Sequence, residues 1–350
     1  MRPGRCEPRM VASVASDRPT VLCCLVVVAG LMAGAWCASP ARAAVLTYVD
    51  QDQVWVSTVD GTAKHAITSN GTADHPWSSP TSDDQGRILA ARDTFLFLMD
   101  QTGATLPNGM NLAPQGPCGS TIGPAGAQIA PAGDWVAFWY FCNTYYPSSN
   151  IAPHVALALP QTFTLAGNQA DWSDWDSPTW FGHRLVVSDG FKLFLQPAAS
   201  DPPAPTAPEF GYAFAADDAL ALTRGVIARD GRHVLIDARP QANNDDQLEL
   251  ARLPAGPPAS TDGVTNYIDQ LCRVPTAGKP LWGSFSPDGS LIAWSDDGGV
   301  KVMSTPTYSG TGDCATAGSP TVISSTGRQA AFGGGAFATT SAPGRSRATR

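Results

Sequence analysis

Beyond residue 43 the sequence has no long hydrophobic run, and no later stretch approaches the ~18 apolar residues of a membrane span. Charge is scarce, at 15% of residues, and its balance is acidic, with a formal net charge of −8. An acidic surface repels polyanions, so electrostatic binding to nucleic acid or to anionic lipid surfaces is disfavoured. No Gly-x-Ser-x-Gly nucleophile elbow occurs, which speaks against a serine hydrolase. The five histidines, His65, His75, His154, His183 and His233, show no His-x-His or His-x-x-x-His spacing and so define no metal site. A calcium loop needs Asp at alternate positions around a central Gly. Only Asp50-x-Asp52 and Asp174-x-Asp176 begin that pattern, so calcium is a weak expectation and no other cofactor is expected. The acidic pairs Asp83-Asp84, Asp217-Asp218, Asp245-Asp246 and Asp296-Asp297 fall at hairpin turns and read as turn chemistry.

What is present begins with an amino-terminal export signal. Arg2, Arg5, Arg9 and Arg18 precede an apolar run from Val21 to Gly34, which ends in the small-residue site Ala41-Arg42-Ala43. Residues 1–43 are therefore expected to be a signal peptide, and the protein to be secreted, periplasmic or held in the cell envelope. A lipid anchor on Cys37 is rejected because Trp36 stands where lipoprotein processing needs a small residue. Gly and Pro number 34 and 30, which makes the remainder turn-rich, while 43% hydrophobic residues suffice for a packed core.

A short pattern repeats along residues 44–340, consisting of an aromatic or small residue, a turn, and an alternating apolar strand. The sharpest copy is Trp282-Gly-Ser-Phe-Ser-Pro-Asp-Gly-Ser-Leu-Ile-Ala-Trp294, where Pro287 presets a turn and Gly289 takes the positive φ that launches the return strand. Weaker copies carry turn glycines at Gly86, Gly133, Gly182 and Gly231, so the period is 47–58 residues. That is the length of a four-stranded β-propeller blade. A further period reaches Gly333-Gly334-Gly335, whereas Val45–Val49 looks like a second strand without its first. The expected fold is all-β, a six-bladed propeller closed between its amino- and carboxy-terminal strands, followed by a disordered basic tail at 341–350.

Ser286-Pro-Asp-Gly289 followed by Leu291-Ile-Ala-Trp294 resembles the propeller repeat of the TolB translocation-protein family. The resemblance covers most of the chain after the signal. It implies an exported six-bladed propeller that serves as a scaffold for protein partners.

After the signal four cysteines remain, Cys118, Cys142, Cys272 and Cys314, and four cysteines allow three pairings. In the blade register Cys118 and Cys142 fall on one face, which favours their bridge and leaves Cys272 to Cys314 by elimination. Tyr145 and Tyr146 lie in the hairpin loop after Cys142, and Asp171-Trp172-Ser-Asp174-Trp175-Asp176 leads into the next blade. Loops of these two kinds share a face, so these aromatics and carboxylates are the candidate ligand face. Trp77, Trp180 and Trp282 are repeat anchors and expected in the core. Gly310-Thr-Gly312-Asp-Cys-Ala315 reads as a surface loop rather than a dinucleotide fingerprint. The functional expectation is a monomeric, non-catalytic module that binds a protein or glycan. The alternatives are a propeller polysaccharide lyase or glycosidase, and a purely structural envelope protein.

Overall fold

A strand places successive side chains on opposite faces, so a strand covered on both faces reads as an unbroken apolar run. In Ile88-Leu89-Ala90-Ala91, Ile88 and Ala90 join one core cluster while Leu89 and Ala91 join another. Leu185 and Val187 are divided from Val186 in the same way, as are Val234 and Ile236 from Leu235. Successive sheets therefore stack face to face with an apolar layer between them.

The computed structural model describes residues 44–111, 120–143, 151–159, 164–165, 172–173, 176–188, 190, 193–195, 210–213, 220–240, 245–253, 266–267 and 270–339. These contain strands and turns and no helix. Their strands form six sheets. In the first sheet Arg328–Gly333 pairs with Val45–Asp50, followed by Gln53–Thr58 and Lys64–Ala66. The second is Trp77–Ser82, Ile88–Arg92, Phe95–Met99 and Thr105–Asn111. The third is Ser120–Ile129, Val136–Asn143, Ile151–Leu159 and Thr164–Leu165. The fourth runs Asp176–Phe181, Arg184–Ser188, Leu193–Leu195 and Phe210–Ala213, and gains Asn266–Tyr267 as a parallel strand. The fifth is Leu220–Ile227, His233–Pro240, Gln247–Arg252 and Gln270–Arg273, extended by Asp313–Ala315 and Thr307–Thr311. The sixth is Leu281–Phe285, Leu291–Asp296, Gly299–Ser304 and Thr321–Ser324. Antiparallel meanders of about four strands, packed face to face in chain order, are the architecture of a β-propeller.

Apolar clusters join each sheet to the next, from Val54 and Ile88 between the first and second to Leu235 and Trp294 between the fifth and sixth. Leu46, Tyr48, Val302 and Phe332 form the cluster between the sixth sheet and the first. The turn glycines Gly86, Gly133, Gly182, Gly231 and Gly289 all lie between the first and second strands of their sheets with positive φ, as the repeat requires. In the sharpest copy Gly289 N–H donates to the Ser286 carbonyl at 2.8 Å, and Asp288 Oδ1 accepts from Ser290 N–H at 3.0 Å.

The first strand of every sheet departs from regular register against its neighbour. At these bulges Ser79, Ser177, Trp282 and Gln329 adopt the left-handed region, with φ from 48° to 62°. Polar ties then link the first strands of neighbouring sheets all the way along the series. Ser79 N–H donates to Gln329 Oε1 (2.8 Å), Ile129 N–H to Thr81 Oγ1 (3.1 Å) and Trp180 Nε1–H to the Gln128 carbonyl (3.1 Å). Thr179 Oγ1–H donates to the Gly225 carbonyl (2.5 Å), Arg224 Nη1–H to the Gly283 carbonyl (2.6 Å) and Phe332 N–H to Ser284 Oγ (3.0 Å). One tie joins sheets that are not neighbours: Arg229 in the first turn of the fifth sheet forms an ion pair with Asp84 in the first turn of the second, with Nη1 to Oδ2 at 2.8 Å.

Candidate functional site

The first strands surround two cavities. An outer one of about 300 Å3 lies where these strands begin, and an inner one of about 100 Å3 lies where they end. Every first strand contributes to the outer cavity: Gln329, Ser79, Gly126, Ser177, Arg224 and Trp282. The residues strained into the left-handed region are thus the ones presented to this space. Such strain, which L-residues adopt only when their surroundings impose it, concentrates at ligand sites.

Arg224 sits in an otherwise apolar strand, only 7% exposed, and lines both cavities. Its guanidinium lies 5.1 Å from the Trp282 ring and 3.9 Å from Asp237 Oδ2. Asp237 accepts from Trp282 N–H at 2.9 Å and Gly283 N–H at 3.1 Å. Burial pushes the Asp237 carboxyl up from its ordinary value, and the guanidinium and two backbone donors pull it back. Burial pushes Arg224 in the opposite direction, and Asp237 opposes that too. Trp139 forms another wall, and its ring explains the glycine opposite: a Cβ at Gly126 would lie 2.3 Å from Trp139 Nε1. Two indoles, hydroxyls from Ser79, Ser177 and Thr223, an amide from Gln329 and one buried cation make a lining that can stack on a flat ligand and hydrogen-bond its edge. Asp237 is the only carboxylate lining this cavity among the described residues, and it is already engaged.

Trp77 and Trp180 are buried, at 2% and 7% exposed, as expected of repeat anchors. Trp282 is not a core residue. Its positive φ at the bulge turns it out of the sheet stack and into the outer cavity, beneath Arg224. Of the expected ligand face, Tyr145, Tyr146, Asp171, Asp174 and Trp175 lie outside the described residues. The backbone of Trp172 lies not in a free connection but in the short strand Trp172–Ser173, paired with Val155 and His154. Asp176 opens the first strand of the fourth sheet and pairs with Ser188, one residue before the cavity-lining Ser177. The outer cavity itself went unread in the sequence, although one signal was present: a lone Arg within Leu220-Ala-Leu-Thr-Arg-Gly-Val-Ile227.

Cys272 and Cys314 form a disulfide across the fifth sheet. Cys118 lies outside the described residues, and of Cys142 only the strand position is described. His75, His183 and His233 stand apart, beside Asp93, Asp134 and Asp230 respectively. No group of three or more His, Cys, Asp or Glu among the described residues is arranged to hold a metal ion. Asp50 and Asp52 tie strands together: Asp50 accepts from the hydroxyls of Ser324 (2.6 Å) and Thr326 (2.7 Å), and Asp52 pairs with Arg328 at 3.3 Å. Asp83 performs the turn role read for it, accepting from the backbone N–H groups of Gln85 and Arg87 at 2.9 Å.

Fold and site together define an all-β protein of propeller type with a polar, aromatic-walled cavity among its first strands. No protein-family model matches the chain, and no curated protein matches its sequence. Among solved structures it is similar to an oligogalacturonate lyase from Vibrio parahaemolyticus, at 10% identity and a TM-score of 0.45 over 78% of each chain. It is also similar to Kluyveromyces lactis Hsv2, at 11% identity and a TM-score of 0.42 over 74% of this chain and 69% of that one. A chain of the mitotic checkpoint complex gives 12% identity and a TM-score of 0.44, over 72% and 81%.

Proposed function

We propose that the chain is an exported, monomeric six-bladed β-propeller, closed between its terminal strands, that binds a protein or glycan partner at the outer cavity and the loops around it. The observation that carries this reading is the convergence of a residue from every first strand, several of them in strained conformations, on one cavity with two indole walls. Closure is supported by the pairing of Arg328–Gly333 with Val45–Asp50 and by apolar clusters at each sheet junction. Binding is favoured over glycosidase chemistry because hydrolysis needs two carboxylates flanking one bond, and Asp237 is already held by Arg224 and two backbone donors.

The experiment is a glycan array together with affinity capture of envelope proteins, using the secreted protein, whose amino terminus should read Ala44-Val45-Leu46-Thr47. Trp282→Ala, which removes an indole wall of the cavity, should abolish retention of the partner, as should the double substitution Trp172→Ala, Trp175→Ala on the expected ligand face. Binding that survives with stability lost would overturn the face assignment. Cleavage of a retained glycan would move the reading to a lyase or glycosidase.

A further inference from the structure

The charged groups of the outer cavity are engaged within the protein. Arg224 donates to the Gly283 carbonyl and lies beside Asp237, while Asp237 accepts through both oxygens, Oδ2 from Trp282 N–H and Oδ1 from Gly283 N–H. The groups left free are neutral. Ser79, only 3% exposed, lines the cavity, and its hydroxyl has no hydrogen-bond partner among the described residues. The Ser177 hydroxyl and the Trp139 indole N–H are without one in the same sense. Gln329 accepts from Ser79 N–H through its carbonyl oxygen at 2.8 Å, which leaves its side-chain amide N–H groups unpartnered. Ser79, Ser177 and Gln329 are also three of the four bulge residues held at positive φ, so strained backbone brings each of these groups to one space.

A hydroxyl both donates and accepts, and amide and indole N–H groups donate, so the free groups match the edge of a polyhydroxylated ring. The faces of such a ring carry C–H groups, which pack against indoles such as Trp139 and Trp282. A carboxylate or ammonium brought into the cavity would lose its hydration and meet no free counter-charge, which penalises uronates and charged peptide side chains. The volume, about 300 Å3, lies at the lower end of the ~300–1,000 Å3 of small-molecule sites and suits one or two rings. We propose that the outer cavity binds a neutral sugar, the end of an uncharged glycan, seated against the indole walls and hydrogen-bonded by Ser79, Ser177, Gln329 and Trp139. This inference rests on the reading of that cavity as the binding site and narrows its ligand.

Calorimetric titration of the secreted protein with neutral tetrasaccharides of glucose, mannose, galactose and N-acetylglucosamine, beside tetragalacturonate, tetralysine and tetraglutamate, tests the proposal. At least one neutral oligosaccharide should bind, and none of the charged probes should. Affinity for that oligosaccharide should fall about tenfold in the double substitution Ser79→Ala, Ser177→Ala, the loss expected of two neutral hydrogen bonds. It should fall about threefold in Trp139→Phe, which keeps an aromatic wall and removes its N–H. Thermal melting reports whether each variant is folded, and Trp139→Phe decides the matter if the double variant is not. A charged probe that binds, and whose binding Trp282→Ala abolishes, overturns the neutral-sugar assignment while leaving the cavity as the binding site. Binding of no neutral sugar overturns it, as does equal affinity in parent and variants, which would put the sugar elsewhere. If no retained partner responds to Trp282→Ala, the reading of the cavity itself fails, and this inference with it.

Discussion

Glu249 is a buried acid that titrates near neutrality. It lies in Gln247–Arg252, 5% exposed, and burial pushes its carboxyl up to about 7, with Arg273 opposing the rise and Asp313 adding to it. In the unfolded chain a glutamate titrates near ~4.3, so between about pH 4.3 and 7 the folded state binds more protons than the unfolded one. Stability contributed by the neutral acid is therefore present at low pH, falls as pH rises through that window, and levels off above about 7. Glu249→Gln should lack this slope and be more stable than the parent at pH 8, by about 1–3 kcal/mol, with little difference at pH 4.5. Urea unfolding of both proteins across this range checks it, and parallel pH profiles would sink it. At this scale the sequence was legible where a residue serves its own turn. Gly289 and Asp83 do what local chemistry demands of them. It was not legible where a side chain answers to a distant strand, as Arg224 does to Gly283, 59 residues away.

The hairpin formed by Thr307–Thr311 and Asp313–Ala315 belongs by chain order to the sixth sheet, between its third and fourth strands, yet it pairs on the edge of the fifth. Cys272–Cys314 fastens it there across 42 residues of sequence. Opening a loop of that length should cost about 2–4 kcal/mol, seen as a lower urea midpoint under reductant, with faster hydrogen exchange concentrated in 305–317. An unmoved midpoint would show that the hairpin stays docked by its own contacts. The pairing of these cysteines followed from sequence by elimination, whereas the excursion of the hairpin did not: Gly310–Ala315 read as a surface loop. Strand content was legible because the period-two and two-faced apolar runs are local signals. The bulges were not, because Ser79, Ser177 and Gln329 are residues that give no sign of a left-handed backbone, which is imposed by the first-strand ties around them.

For the whole molecule the repeat revealed a propeller architecture, since each copy carries its own turn glycine and buried strand. It said nothing of the cavities, because each sheet supplies only a residue or two to them. Deletion of residues 328–350 removes Arg328–Gly333, its pairing with Val45–Asp50, and Phe332 from the cluster at Leu46 and Tyr48. That variant should melt well below the parent and be cut readily by protease, while deletion of 341–350 should be tolerated. Equal melting of the longer truncation and the parent would sink the proposed closure. The same pairing sets the timing of assembly. Thr47 donates to the carbonyl of Ala331, 284 residues away, so the first of the described strands is completed by the last. During synthesis Val45–Asp50 emerges with one edge bare, and it stays so until the end of the chain arrives. Folding of the first sheet thus has the longest contact order in the molecule, and the slowest phase of refolding belongs there. In the interval that open edge is the point at which a second nascent copy could pair, making molecules caught before completion the most prone to associate.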